Sequence, residues 1–70
     1  MTQYYGVSWH IDYEHWENDT NLFTTIPKAQ KRVMEKIEEL ASGSTILKRD
    51  ETVWRAGVLT VVIEIYTVIE

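Results

Sequence analysis

The chain has 70 residues, of which 44% are hydrophobic and 26% are charged, with a formal net charge of −4 and no cysteine. A chain this short buries only about 60% of the surface that it exposes when unfolded, so residues 1–70 are predicted to form a single domain of modest stability. The absence of cysteine excludes disulfides and thiolate metal sites as sources of stability.

Neither a secretory signal nor a membrane-spanning helix is expected. The first ten residues, MTQYYGVSWH, lack the basic and apolar regions of a signal peptide. The longest apolar-rich stretch, residues 58–69, is too short to cross a bilayer as a helix. We therefore expect a cytoplasmic location and no contact with a membrane.

The first predicted element is a strand over residues 3–14. Period-two alternation with aromatic and β-branched residues is typical of a strand that has one face on the core. The opposite face is expected to meet water. The side chains predicted to face inward are Tyr5, Val7, Trp9, Ile11 and Tyr13.

A loop is predicted over residues 15–24, because this stretch has no periodicity and contains four consecutive turn-forming residues, 18–21. Three large apolar side chains, Trp16, Leu22 and Phe23, are unusual in a loop that only connects two elements. Two interpretations remain open. The three side chains fold back as a lid on the core, or some of them are exposed for a partner.

A helix follows, with a signal at each end. Thr24 or Thr25 can cap its amino terminus, and Pro27 is tolerated in the first turn. Gly43 favours termination after Ala41 or Ser42. The predicted apolar face consists of Ile26, Ala29, Val33, Met34, Ile37, Leu40 and Ala41, and the predicted solvent face of Lys28, Lys31, Arg32, Glu35, Lys36 and Glu39.

Residues 58–69 form the most β-prone stretch and are predicted to be an interior strand. One face of this strand is apolar apart from Thr67. The other face carries too many apolar residues to be exposed only to water. Residues 45–55 are predicted to pair with this strand through a turn at Ala56-Gly57, as one long hairpin. A second turn at 48–51, which would divide the region into two short strands, is the alternative.

These elements predict a small α+β domain of order β-α-β-β. One helix packs on an antiparallel sheet of three strands, or of four if residues 45–57 are divided, with the last strand between the first and the second. In topology alone, this order is similar to that of dodecins and of several small phage-encoded proteins. Similarity of fold does not carry function.

The richest polar cluster, HIDYEHWEND at 10–19, contains potential metal ligands and acid/base groups. Residues two apart on a strand are separated by roughly 6.6 Å, so these side chains do not converge readily on one ion. We interpret the cluster as a solvated strand face that runs into an acidic loop. No nucleophile arrangement or phosphate-binding loop is recognisable, and we predict neither a cofactor, nor a metal, nor an enzyme.

The basic helix face, with Lys48, Arg49 and Arg55, could contact phosphates. Glu35 and Glu39 lie among these cations, however, and the net charge of −4 opposes a polyanion. Nucleic-acid binding is therefore the third hypothesis.

The leading hypothesis is a non-enzymatic protein-binding module, a small acidic inhibitor or regulator of phage type that acts through an aromatic and acidic surface. Trp16, Trp54 and Tyr66 would be the anchors, because aromatic residues dominate binding energy at interfaces. The full set of predicted protein-binding residues is Asp12, Glu14, Trp16, Glu17, Asp19, Trp54, Val62 and Tyr66. The alternative is a self-assembling structural or small-ligand-binding homo-oligomer, built on the apolar second face of the sheet.

Overall fold

The computed structural model describes residues 2–69, in which one helix packs on a five-stranded antiparallel sheet. The α+β class and the position of the last strand beside the first are confirmed, but the sheet has more strands than predicted. The sheet order is β2-β1-β5-β4-β3. In chain order the elements are β1 (Thr2–Ile11), β2 (Glu17–Phe23), α1 (Ile26–Ala41), β3 (Ile46–Asp50), β4 (Val53–Ala56) and β5 (Leu59–Val68).

The additional strand, β2, occupies most of the region predicted to be a loop. It pairs antiparallel with β1, with Phe23 opposite Tyr5 and Glu17 opposite Trp9, and the register shifts between Gly6 and Ser8. Because β2 is an edge strand, only one side of its backbone must be paired. Such strands commonly carry charges and irregularities that discourage further pairing. In β2 these features interrupt the alternation of apolar and polar residues by which a strand is recognised in a sequence.

The region before β5 is divided into two short strands, so the prediction of one long hairpin is wrong. The alternative of two strands is correct, but the turn lies at 51–52 and not at 48–51. Asp50 ends β3 because its Oδ1 accepts hydrogen bonds from the backbone N–H of Thr52 at 2.7 Å and from the Thr52 hydroxyl at 2.9 Å. Such a side-chain turn competes with continued strand pairing. The predicted turn at Gly57 is confirmed, with a φ of 61° and Ala56 opposite Leu59.

The helix begins and ends as predicted. Thr25 is the N-cap, and its side chain accepts from the N–H of Lys28 at 3.4 Å. Ala41 is the last helical residue, and Gly43 has a left-handed φ of 83°. Among the described residues, no helix is long and apolar enough to cross a membrane.

The core lies between α1 and the sheet, where the helix packs on β5, β1 and β2. Its buried residues are Val7, Trp9, Ala29, Val33, Ile37, Trp54, Ala56, Leu59, Val61 and Ile63. The buried face of the helix is narrower than predicted, because Ile26, Met34 and Leu40 stay exposed.

Lys36 was predicted to face solvent but is 9% exposed. Its Nζ lies 4.3 Å from the centre of the Trp9 ring and donates to Glu39 Oε2 at 3.2 Å. The aliphatic stem of a lysine can cover apolar surface, and its ammonium group is attracted to the face of an indole ring. Lys36 therefore belongs to the packing of the domain.

Candidate functional site

The connection between β1 and β2 carries the most unusual residue of the described structure. We call residues 12–17 the hairpin tip. Tyr13 has a φ of 68° and is 106% exposed, whereas the sequence pattern placed it in the core. The left-handed conformation costs a residue with a side chain roughly 1–2 kcal/mol, and the exposed ring of Tyr13 offsets none of this cost by packing.

Trp16 lies at the other side of the hairpin tip and is 51% exposed. Its ring is tilted by 36° against the ring of His10 on β1, with the two centroids 4.1 Å apart. This contact holds the indole in place while half of its surface stays open. Of the three apolar residues at 15–24, Trp16 and Leu22 are exposed, whereas Phe23 packs against the core.

A pocket of about 110 Å³ lies between the hairpin tip and the carboxyl end of α1. Ligand sites for small molecules usually measure about 300–1,000 Å³, so this pocket has room for one side chain of a partner. The lining of the pocket combines apolar side chains with imidazoles and carboxylates. The lining residues are Trp9, His10, Ile11, Glu14, His15, Glu17 and Leu40.

Asp12, one of the predicted protein-binding residues, is bound within the domain. It accepts hydrogen bonds from Nη1 and Nη2 of Arg55 at 2.8 and 2.5 Å, and its backbone N–H donates to Val58 O at 2.9 Å. The hydrogen bond from Arg55 lowers the pKa of Asp12, against the smaller opposing effect of burial. Asp12 therefore anchors the hairpin tip to β4 and to the turn before β5.

Asp19 is also bound within the domain. Its side chain is 3% exposed and lies 2.5 Å from Nε of Arg32 on α1. Burial raises the pKa of this carboxyl, but the hydrogen bonds from Arg32 and from the backbone of Asn21 outweigh burial, so the pKa is lowered. Of the four carboxylates among the predicted protein-binding residues, Glu14 and Glu17 are the ones that remain exposed.

Val62 and Tyr66 lie on β5, on the sheet face opposite α1, which no element of residues 2–69 covers. Tyr66 is 43% exposed and its ring rests on Gly6, where an added Cβ would lie 2.8 Å from Tyr66 Cε2. The Tyr66 hydroxyl donates to Glu64 Oε2 at 2.7 Å, and this bond raises the pKa of the tyrosine. Val62 is half-buried between Ser8 and Val53.

The prediction that Trp54 is a surface anchor is wrong, because Trp54 is 4% exposed and belongs to the core. It lies opposite Val61 on the helix side of the sheet. In the sequence pattern, Trp54 stands in a short region without clear alternation, so its inward direction was not evident. It is not available as a surface anchor.

Two cations of the basic helix face interact with other residues of the domain. Arg32 binds Asp19, and Lys36 is buried against Trp9, which leaves Lys28 and Lys31 as its exposed cations. Within residues 2–69, no group of three or more potential ligands is arranged to hold a metal ion.

Tyr13 is the residue of the hairpin tip that sequence reasoning missed. It continues the alternation of β1 without a break, and only Asp12 beside it is a turn-forming residue. Searches found no matching family model, curated protein or solved structure.

Proposed function

We propose that the protein is a non-enzymatic protein-binding module that contacts its partner through the hairpin tip, as a small acidic inhibitor or regulator. The observation that carries this proposal is Tyr13, a fully exposed aromatic residue in a left-handed conformation. Backbone strain is concentrated at functional sites, where selection retains it for a purpose other than stability.

The hairpin tip has the composition of a binding surface. Tyr and Trp are enriched among the residues that dominate binding energy, and Tyr13 and Trp16 present both types. The stack of Trp16 on His10 and the anchoring of Asp12 by Arg55 hold the tip in one arrangement. Such preorganisation lowers the entropy cost of association.

The charges of the hairpin tip suit a basic partner. Glu14 and Glu17 are exposed and line the pocket, together with the apolar surfaces of Trp9 and Leu40. A lysine or arginine side chain has an apolar stem and a cationic head, which matches this lining. Exposed carboxylates also accelerate encounter with a positively charged surface.

Two substitutions test this function by affinity capture from an extract of the native source, followed by mass spectrometry. Tyr13→Asn removes the ring, while asparagine adopts the left-handed conformation at little cost, so stability is retained or increased. Trp16→Ala removes the second aromatic surface. Each variant is expected to weaken capture of the partner, by roughly 2 kcal/mol or about 30-fold in Kd.

The matched control is Leu22→Asn, since Leu22 is 55% exposed and lies beside Gly6 on the sheet face opposite α1, outside the hairpin tip. It is expected to capture the same partner as the unmodified protein. Equal capture by the unmodified protein, Tyr13→Asn and Trp16→Ala would refute the proposal. Tryptophan fluorescence supplies a second readout, because Trp54 is buried in the core, whereas Trp16 lies in the hairpin tip and Trp9 lines the pocket. A change on binding therefore reports the two tryptophans at the proposed site.

A further inference from the structure

The carboxyl half of β5 has one unpaired edge among the described residues. β5 pairs with β1 along its whole length, from Leu59 to Val68, whereas β4 pairs with it only from Leu59 to Val62. The N–H of Ile63 still reaches Thr52 O at 2.8 Å. Beyond Ile63, no strand of the described residues lies on that side.

The free backbone groups of this edge belong to Ile65 and Thr67. In an antiparallel strand, the N–H and C=O groups of one residue point to the same side, and those of the next residue point to the other side. Because the N–H of Ile63 points towards the β4 side, the groups of Ile65 and Thr67 point there too. An unpaired edge of this kind is a template for another strand.

The two outer strands of the described sheet, β2 and β3, are protected on their open sides, whereas this segment of β5 is not. β2 carries Glu17 and Asp19, and β3 carries three charges at 48–50; each shows a register irregularity against its neighbour. Charges and irregularities are the usual means by which edge strands avoid pairing. In β5, residues 63–68 contain one charge, at Glu64, and Ile65 and Val68 are about half exposed.

We propose that the free edge of β5 binds the same edge of a second copy, in an antiparallel pair that has Tyr66 on its two-fold axis. In this register, Ile65 of each copy lies opposite Thr67 of the second copy, and the two residues exchange both hydrogen bonds. All four free backbone groups of each edge are thereby satisfied. This proposal is independent of the function assigned to the hairpin tip.

Sterics favour this register over a pair centred on Ile65. A pair centred on Ile65 would place Val68 of the second copy opposite Val62, where Val53 already lies. With Tyr66 at the axis, the last strand residue of the second copy, Val68, lies opposite Glu64, beyond the last residue that pairs with β4. Ile69 of the second copy then turns away from Thr52, which accepts from the N–H of Ile63. The Tyr66 ring turns away from the free edge, over Gly6 of β1, and leaves the edge accessible.

Thr67→Pro tests the edge. Proline removes the N–H that would donate to the second copy but leaves the β1 side intact, since Val68 and Tyr66 direct their groups to β1, and proline is tolerated on edge strands. Light scattering after size exclusion is expected to give twice the mass of the chain for the unmodified protein and the single mass for Thr67→Pro. A monomeric unmodified protein, or a Thr67→Pro variant that remains a dimer, would overturn the proposal.

A cysteine trap tests the register, because the chain has no cysteine of its own. In Tyr66→Cys, the two thiols face each other in a non-hydrogen-bonded pair with Cα atoms about 4.5 Å apart, a separation that a disulfide spans. Under mild oxidation it is expected to form a linked dimer at least about tenfold faster than Leu47→Cys on exposed β3, because the paired strands hold the thiols at high effective concentration. Equal rates for the two variants would exclude Tyr66 from the axis.

Discussion

Two aspartates of the acidic amino-terminal region are bound to arginines that follow them in the chain. Asp12 binds Arg55 on β4, and Asp19 binds Arg32 on α1. Each pair includes a hydrogen bond from a guanidinium, which is stronger than a bond between neutral groups. These carboxylates therefore connect elements, and the exposed negative charge of the hairpin tip is left to Glu14 and Glu17.

The pair of Asp19 and Arg32 predicts a dependence of stability on pH. The pKa of Asp19 is lowered from 3.8 in the folded state, so its contribution is present above the unfolded value and is lost as the pH falls through the folded pKa. Asp19→Asn is expected to be less stable than the unmodified protein at neutral pH. The difference should shrink below about pH 4, as measured by urea unfolding across the acid range.

Glu38→Gln is the control for the loss of one negative charge, since Glu38 is exposed on the same helix and glutamine keeps an acceptor for the Ser42 hydroxyl. Its unfolding curve is expected to follow that of the unmodified protein at each pH. A constant stability difference between Asp19→Asn and the unmodified protein, from neutral pH into the acid range, would contradict the assignment.

At the scale of elements, the helix and the strands differ in how much local sequence directs them. α1 is defined by its own residues, since Thr25 caps one end and Gly43 supplies the left-handed residue beyond the other. β2 depends instead on β1, with which it pairs, and on the link from Asp19 to Arg32. Its turn-forming residues favour other conformations until those contacts form.

The N-cap can be tested by Thr25→Ala. This change removes the side-chain oxygen that accepts from the N–H of Lys28 and is expected to reduce the free energy of unfolding by about 1 kcal/mol. Urea unfolding followed by circular dichroism measures the difference. Thr24→Ala is the matched control, because the Thr24 hydroxyl accepts from the exposed Lys28 ammonium rather than from a backbone N–H. An equal loss in both variants would contradict the assignment of the cap.

At the scale of the whole molecule, the domain has one covered and one uncovered sheet face. The helix shelters the face that carries Val7, Val61 and Leu59, all at most 1% exposed. The opposite face carries Tyr66 and Leu22, about half of whose surface is open. The domain rests on one small core, and each large buried residue contributes a substantial share of its stability.

Leu59→Ala tests the importance of this core. Removing a fully buried leucine side chain costs about 2–5 kcal/mol, against a total of roughly 0.05–0.15 kcal/mol per residue. We expect a large fall in the urea midpoint, with partial unfolding at room temperature. Leu47→Ala, at a leucine that is 52% exposed, is expected to change stability by less than about 0.5 kcal/mol; similar effects of the two changes would contradict the assignment of Leu59 to the core.

The candidate site was only partly predictable from sequence. Trp16, Glu14 and Glu17 are three of the predicted protein-binding residues, and all three are exposed in the hairpin tip. Trp54 was misplaced, because a four-residue strand is too short to show which of its side chains point inward. Tyr13 was missed, because its left-handed φ depends on the turn closed by Glu14 N–H and Ile11 O at 2.9 Å, not on its residue type.

The sequence by itself determined the elements whose signals are local: the alternating strand β1, the capped helix α1 and the β-prone strand β5. Only the tertiary structure decided that β2 is a strand, that Lys36 is buried and that β5 ends with a free edge. The physical reason is that these features depend on contacts between residues distant in sequence, such as Lys36 with Trp9. Such contacts outweigh the modest conformational preferences of individual residues.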